Sequence, residues 1–119
     1  MHVAAPVPVE INLMQQSRLL RLSYENGEQY DLSYEFLRVL TPSAEARGHG
    51  PGQETLQHGK REVSITAIHP IGNYAIQPVF SDGHDSGIYS WDMLYNFCQH
   101  HEELWQSYLL AMEQQGLSR

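Results

Sequence analysis

The sequence predicts an α+β fold: a mainly antiparallel sheet of five or six strands, packed by one long C-terminal helix, with one short helix in addition. Three observations carry that expectation. Apolar residues alternate with period two in several short stretches before residue 90, as half-buried strands require. Asn26-Gly27 and Gly72-Asn73 fall between such stretches and supply the backbone freedom of tight reversals. Beyond Ser90 the apolar spacing changes to three and four residues, the signature of an amphipathic helix. A chain of 119 residues, 41% of them hydrophobic, is one domain with enough apolar material for a core.

Residues 1–8 form a loose tail, and the first strand follows Pro8, with Val9, Ile11 and Leu13 alternating along an edge. Leu20, Leu22 and Tyr24 continue the alternation, Asn26-Gly27 predicts a type I′ hairpin, and Tyr30 and Leu32 resume it. Ser33 caps a short helix whose Phe36, Leu37 and Leu40 face the core, and Pro42 ends it. Residues 41–59 hold four glycines, two prolines and two histidines, a glycine-rich loop longer than compact domains usually carry. Val63, Ile65 and Ala67 begin the next strand, which closes at His69-Pro70-Ile71-Gly72-Asn73. Its partner carries Tyr74, Ile76 and Phe80, and Pro78 there marks an edge or irregular stretch. Residues 81–87 make a polar turn, placing His84 at a hairpin tip, after which Ile88-Tyr89 folds back on Val79-Phe80. Ser90 then caps a helix of about six turns at about 3.6 residues each. Its stripe is Trp91, Leu94, Cys98, His101, Trp105, Tyr108, Leu109 and Met112, and Gly116 ends it.

Fourteen acidic residues against seven basic ones give a net charge of −7. This leaves no broad cationic surface for nucleic acid or an anionic membrane. The single cysteine, Cys98, excludes an intrachain disulfide and a thiolate cluster, and fits a reducing compartment. No apolar run reaches the ~18 residues of a membrane span, and the start of the chain lacks a charged leader pattern. The expectation is a soluble, cytoplasmic protein.

Two segments, Leu37-Arg38-Val39-Leu40-Thr41-Pro42-Ser43-Ala44-Glu45-Ala46-Arg47-Gly48-His49-Gly50 and His69-Pro70-Ile71-Gly72-Asn73-Tyr74, resemble a family of small domains. The most specific match is Phe80-Ser81-Asp82-Gly83-His84-Asp85-Ser86-Gly87-Ile88-Tyr89-Ser90-Trp91. The family is the gamma-butyrobetaine hydroxylase-like N-terminal domain, and the resemblance covers nearly the whole chain. It implies a stand-alone bacterial member. In the larger oxygenases such a domain precedes a jelly-roll domain that holds iron and 2-oxoglutarate, and related domains accompany P-loop iron–sulfur carriers. The catalytic domain has no counterpart in this chain, so hydroxylase activity is not implied. The oxygenases' domain holds zinc through three cysteines and a histidine. The cysteine positions correspond to the neighbourhood of Thr41, Ser43 and Ala46, and the histidine to His84, so that the three-cysteine zinc site is absent.

A rebuilt metal site would draw on His84, His49 and a carboxylate from Asp82 or Asp85, a donor set suited to iron(II) or zinc. The competing expectation is that both histidines hydrogen-bond loop backbone and hold the turns together. Arg47, Gly48 and Gly50 flank His49 and would present backbone N–H groups and side chains on a ligand or partner face, though no phosphate-loop signature is present. Cys98, Trp91 and Trp105 are expected in the core, and of His100 and His101 one is expected on the solvent side and one at the core edge. Asp82, Asp85 and Asp92 have structural explanations in a turn and a helix first turn, so an acid–base enzyme is not favoured.

The function expected from these readings is a non-catalytic binding or accessory module, not an enzyme, with protein partners and a setting in metal or iron–sulfur metabolism. The alternative is a metal-binding protein or metal-dependent enzyme using His49 and His84.

Overall fold

The computed structural model describes residues 5–43 and 56–119. Two three-stranded antiparallel sheets and three helices make up the described chain, rather than a single sheet of five or six strands. In the first sheet β1 (Glu10–Met14), β2 (Leu19–Ser23) and β3 (Gln29–Ser33) follow one another in space as in sequence. The register sets Leu20 opposite both Leu13 and Leu32, and Leu22 opposite Ile11 and Tyr30, so the period-two pattern builds one apolar face. The second sheet comprises β4 (Ile65–Ile71), β5 (Ala75–Phe80) and β6 (Tyr89–Ser90).

Local turn chemistry explains several departures from expectation. Gly27 has φ +90° but Asn26 does not have positive φ, so the hairpin is not type I′. The Gly27 N–H donates to Tyr24 O and the Tyr24 N–H to Glu28 O, which makes a three-residue loop with glycine in the left-handed position. His69 and Pro70 belong to β4, opposite Gln77 and Ile76, rather than to the turn, which is confined to residues 72–74 with Gly72 at φ +53°. Tyr89 pairs with Ile76 and Ser90 with Ala75, at the opposite end of β5 from Val79-Phe80. The reversal itself is tight: the Gly83 N–H donates to Phe80 O and the Phe80 N–H to His84 O, so His84 flanks a hairpin turn as expected, and residues 85–88 carry the chain back to the far end of β5.

Ser33 and Ser90 cap helices as expected, Ser33 Oγ accepting from the Phe36 N–H (3.0 Å) and Ser90 Oγ from the Met93 N–H (3.1 Å). Helix α1 is Tyr34–Val39. The C-terminal segment is not one long helix but two, α2 (Trp91–Gln99) and α3 (His101–Gln114), broken at His100. The apolar spacing runs through that break because His101 still stacks on Phe36, at 4.6 Å between ring centroids. At the end of α3, Gly116 takes φ +66°. Its N–H reaches Glu113 O, and the Leu117 N–H reaches Met112 O, the paired bonds of a glycine C-cap.

One core joins the two sheets. Leu20, Leu22 and Leu32 meet Ile65, Ile76, Phe80 and Tyr89 through Phe36 and Leu37 of α1 and Leu94 and Phe97 of α2. Phe36 and Phe97 pack edge to face at 5.4 Å. Trp91 and Trp105 are only half-buried at the margin of this cluster rather than fully buried anchors. No described helix is long and apolar enough to cross a membrane.

Candidate functional site

The end of α1 and the segment leaving it carry Arg38, Thr41 and Ser43, all buried although all are polar. Burial of such groups requires partners, and the 81–87 turn supplies them. Arg38 Nε donates to Asp82 Oδ2 at 2.9 Å, and Lys60 Nζ reaches the same oxygen at 2.7 Å. Thr41 Oγ1 lies 2.9 Å from His84 Nε2, and Ser43 Oγ lies 2.6 Å from Ser86 Oγ. Arg38 Nη1 also donates to Gln57 Oε1 at 3.0 Å. Three residues of one segment thus hold three alternate residues of the turn.

Backbone geometry allows this closeness. The His84 N–H folds back to Asp82 Oδ1 at 3.2 Å, Phe80 N–H donates to His84 O, and Gly83 takes φ +90° between them. At Gly87 the fit is tightest: a Cβ there would stand 2.5 Å from Thr41 Oγ1 and 3.1 Å from Tyr89 Cε1. Beneath the clamp, the buried Tyr89 hydroxyl donates to Leu37 O, and burial raises its pKa far above the ordinary tyrosine range.

Asp82 is the electrostatic centre of the clamp. Partial burial alone would raise its pKa. Hydrogen bonds from Lys60, the His84 backbone and Arg38, together with the Arg38 charge, bring it down to about 2 instead. It is an ionised counter-ion to two cations, which is the opposite of a carboxylate poised for proton transfer near neutrality.

Of the residues singled out in sequence, the structure brings His84 and Asp82 into this cluster. Asp85 belongs to the same turn but is exposed, anchored by its carbonyl, which accepts from Gln77 Nε2 at 2.6 Å. His49, Arg47, Gly48 and Gly50 lie outside the described residues. Among the described residues, no group of three or more His, Cys, Asp or Glu side chains is placed to hold a metal ion. Cys98 is buried, and burial pushes its thiol up to about 11, so that it is protonated near neutrality. His100 stands exposed, its Nδ1 at 3.7 Å from Glu103.

Sequence reasoning missed Arg38, Lys60 and Gln57, as well as the hydroxyl roles of Thr41 and Ser43. It also missed a second polar cluster, in which the buried Glu35 accepts from Tyr108 Oη at 3.0 Å and from two nitrogens of Arg119 at 2.8 and 3.1 Å. One signal was available: Glu35 and Arg38 flank Phe36 and Leu37 on a helix too short to have a wide solvent face.

The fold and sequence are similar to those of solved structures. Two NMR solution structures share 42% and 43% identity with the chain, with TM-scores of 0.85 and 0.84. They cover 98% and 100% of it, and the chain spans 91% and 89% of theirs. A crystal structure from Acidithiobacillus ferrooxidans ATCC 23270, of a protein of unknown function in the DUF971 family, is 36% identical with a TM-score of 0.61. That match covers 73% of this chain and 86% of the other. No curated protein gives a match. Residues 11–95 match the pattern described as gamma-butyrobetaine hydroxylase-like, N-terminal. That span contains both sheets apart from Glu10, α1, the first half of α2 and the Arg38–Asp82 clamp, and the chain belongs to the gamma-butyrobetaine hydroxylase-like N-terminal family.

Proposed function

We propose that the protein is a non-catalytic binding module whose partner-facing surface is the 81–87 turn and the adjoining Ile88, and whose partner is another protein. The observation supporting this reading is the triple clamp of Asp82, His84 and Ser86 by Arg38, Thr41 and Ser43. An exposed turn held in one conformation loses little freedom when it docks. It offers the exposed Asp85 and Ile88, the latter 43% exposed, as an acidic and an apolar contact on one segment. A setting in metal or iron–sulfur metabolism is part of the proposal and is supported only by the resemblance to domains that accompany iron–sulfur carriers.

The test pairs the wild-type protein with the variant Asp85→Lys/Ile88→Glu, after both give the same folded NMR spectrum. A protein captured in stoichiometric amount by the wild type, protecting residues 81–88 from amide exchange and lost with the variant, is the expected result. Equal capture by both proteins, or protection elsewhere, would overturn the reading. A saturable response to zinc or iron(II) that disappears in His84→Ala would favour the metal function through His84 and His49 instead.

A further inference from the structure

On the face formed by the β1–β2 loop, the segment before β4 and the C-terminal segment, a cleft of about 210 Å³ gathers Arg18, Arg61 and Arg119, with Glu35, Glu62 and Ser33. Three of the seven basic side chains of a chain with net charge −7 converge there. Their neighbours neutralise them unequally. Arg119 is held in a two-pronged pair by the buried Glu35 and lies over the Trp105 ring at 5.2 Å. Among the described residues the Arg18 side chain pairs with Glu62 alone, at 3.0 Å, and the two side chains are 43% and 76% exposed. Such a pair is worth little in water and exchanges readily. Arg61 has no hydrogen-bond or ion-pair partner among the described residues, and the side chains lining the cleft are three arginines against two glutamates.

The backbone points the same way. Arg18 is the only described non-glycine residue at positive φ, +54°, in a position of the β1–β2 loop that glycine would occupy without strain. Its carbonyl accepts from the Tyr34 N–H at 3.0 Å, a bond that glycine would preserve. The loop therefore tolerates a local conformational cost and obtains from it a guanidinium at the cleft. The opposite wall is set by the Gly116 cap, which turns the chain back so that Ser118 O accepts from the Gly59 N–H at 3.0 Å and Arg119 reaches Glu35. Ser33 Oγ is engaged as an acceptor by the Phe36 N–H, which leaves its O–H as a donor, and Ser17 lies beside it.

We infer that this cleft is a binding site for a small oxyanion, with Arg61 and Arg18 as the ligand-contacting cations and the Glu35-held Arg119 as a fixed wall. Its volume lies below the ~300–1,000 Å³ of pockets for drug-sized ligands, so the ligand is a phosphate or carboxylate group rather than a nucleotide. A guanidinium presents two parallel N–H donors to either group. The chain's overall negative charge does not prevent binding, because fields from distant carboxylates are screened within about 8 Å at physiological salt.

The probes are inorganic phosphate and acetate, titrated separately into ¹⁵N-labelled protein at constant ionic strength, with chloride as the reference and with amide and arginine side-chain N–H resonances observed. The expected result is a saturable response at Arg61, Arg18, Ser17 and Ser33. Arg61→Gln should weaken it about tenfold, as loss of a charge-assisted hydrogen bond implies, while Arg61→Lys retains part of it. Glu62→Gln should tighten it by releasing Arg18. Arg18→Gly should weaken it without lowering the unfolding midpoint. A response that chloride reproduces, that fails to saturate, or that Arg61→Gln leaves unchanged would overturn the site. An Arg18→Gly variant with a lower midpoint and unaltered anion affinity would do the same. Preference between phosphate and acetate assigns the natural ligand group.

Discussion

Replacing Asp82 by Asn tests the electrostatic reading of the clamp. The substitution keeps the side chain's size and one acceptor for the His84 N–H, but removes the charge facing Arg38, whose side chain is 7% exposed, and Lys60. Removing one partner of a fully buried pair typically costs ~3–5 kcal/mol. Asp82 is itself a quarter exposed and Arg38 retains Gln57, so about 2 kcal/mol is expected at pH 7. The loss should depend on pH. The ordinary aspartate value is 3.8 and the folded one about 2, so the carboxylate stabilises the fold fully above the unfolded value. That contribution is lost as pH falls through the folded value. Between pH 5 and pH 3 the difference between wild type and variant should shrink by about 1 kcal/mol, less at high salt. Urea unfolding of both proteins at pH 7, 5, 4 and 3 measures this, and taking the difference cancels the other carboxylates. A gap below ~0.5 kcal/mol at pH 7, or one constant down to pH 3, would refute the reasoning.

The tight approach at Gly87 predicts that Gly87→Ala destabilises by about 1–3 kcal/mol, the usual cost of overpacking. The shift changes should be centred on Thr41 and His84, and an unaltered midpoint would mean that the turn does not press on Thr41 as described. The buried Cys98 thiol, raised to about 11 from 9.0, should react with a thiol reagent at pH 8 at least about a hundredfold more slowly in the native protein than in urea. Equal rates would place it at the surface.

What the sequence made legible was local. Both serine caps, the glycine C-cap after α3 and the alternating faces of β2 and β3 follow from single residues or short periodicities and are present, as is the Ile76–Phe80 face of β5, whereas Tyr74 stands exposed in the preceding turn. Strand partition was not legible, since alternation says which face of a strand is buried and nothing about its neighbour. That is why two sheets were expected as one. The break at His100 was hidden for a related reason. Its N–H still bonds Asn96 O and its carbonyl still accepts from Leu104, so the apolar stripe continues on both sides. Position 26 misled because Asn-Gly also suits a three-residue loop needing only one left-handed residue. In the site, His84 and Asp82 stood out as titratable groups in a turn. Their partners Arg38 and Thr41 are more than forty residues away in sequence, a pairing that no local pattern encodes.

The placement of these polar pairs bears on what they do. Leu20, Ile65, Phe36 and Phe97 already unite the sheets, and an apolar contact at Arg38–Asp82 would hold the two parts together at least as well. An apolar contact would not, however, specify a turn's conformation, because it is satisfied by many arrangements of similar area. Three hydrogen-bonded pairs at residues 82, 84 and 86 are satisfied by very few. The same contrast holds on the Arg119 side, where Glu35 fixes one guanidinium while Arg61 stands without a partner among the described residues. In both places the polar groups add direction to a fold that its apolar core already stabilises, one presenting a turn and the other an arginine-lined cleft. Substitutions there should therefore alter recognition before they abolish folding, whereas truncation of Phe36 or Leu20 should do the reverse.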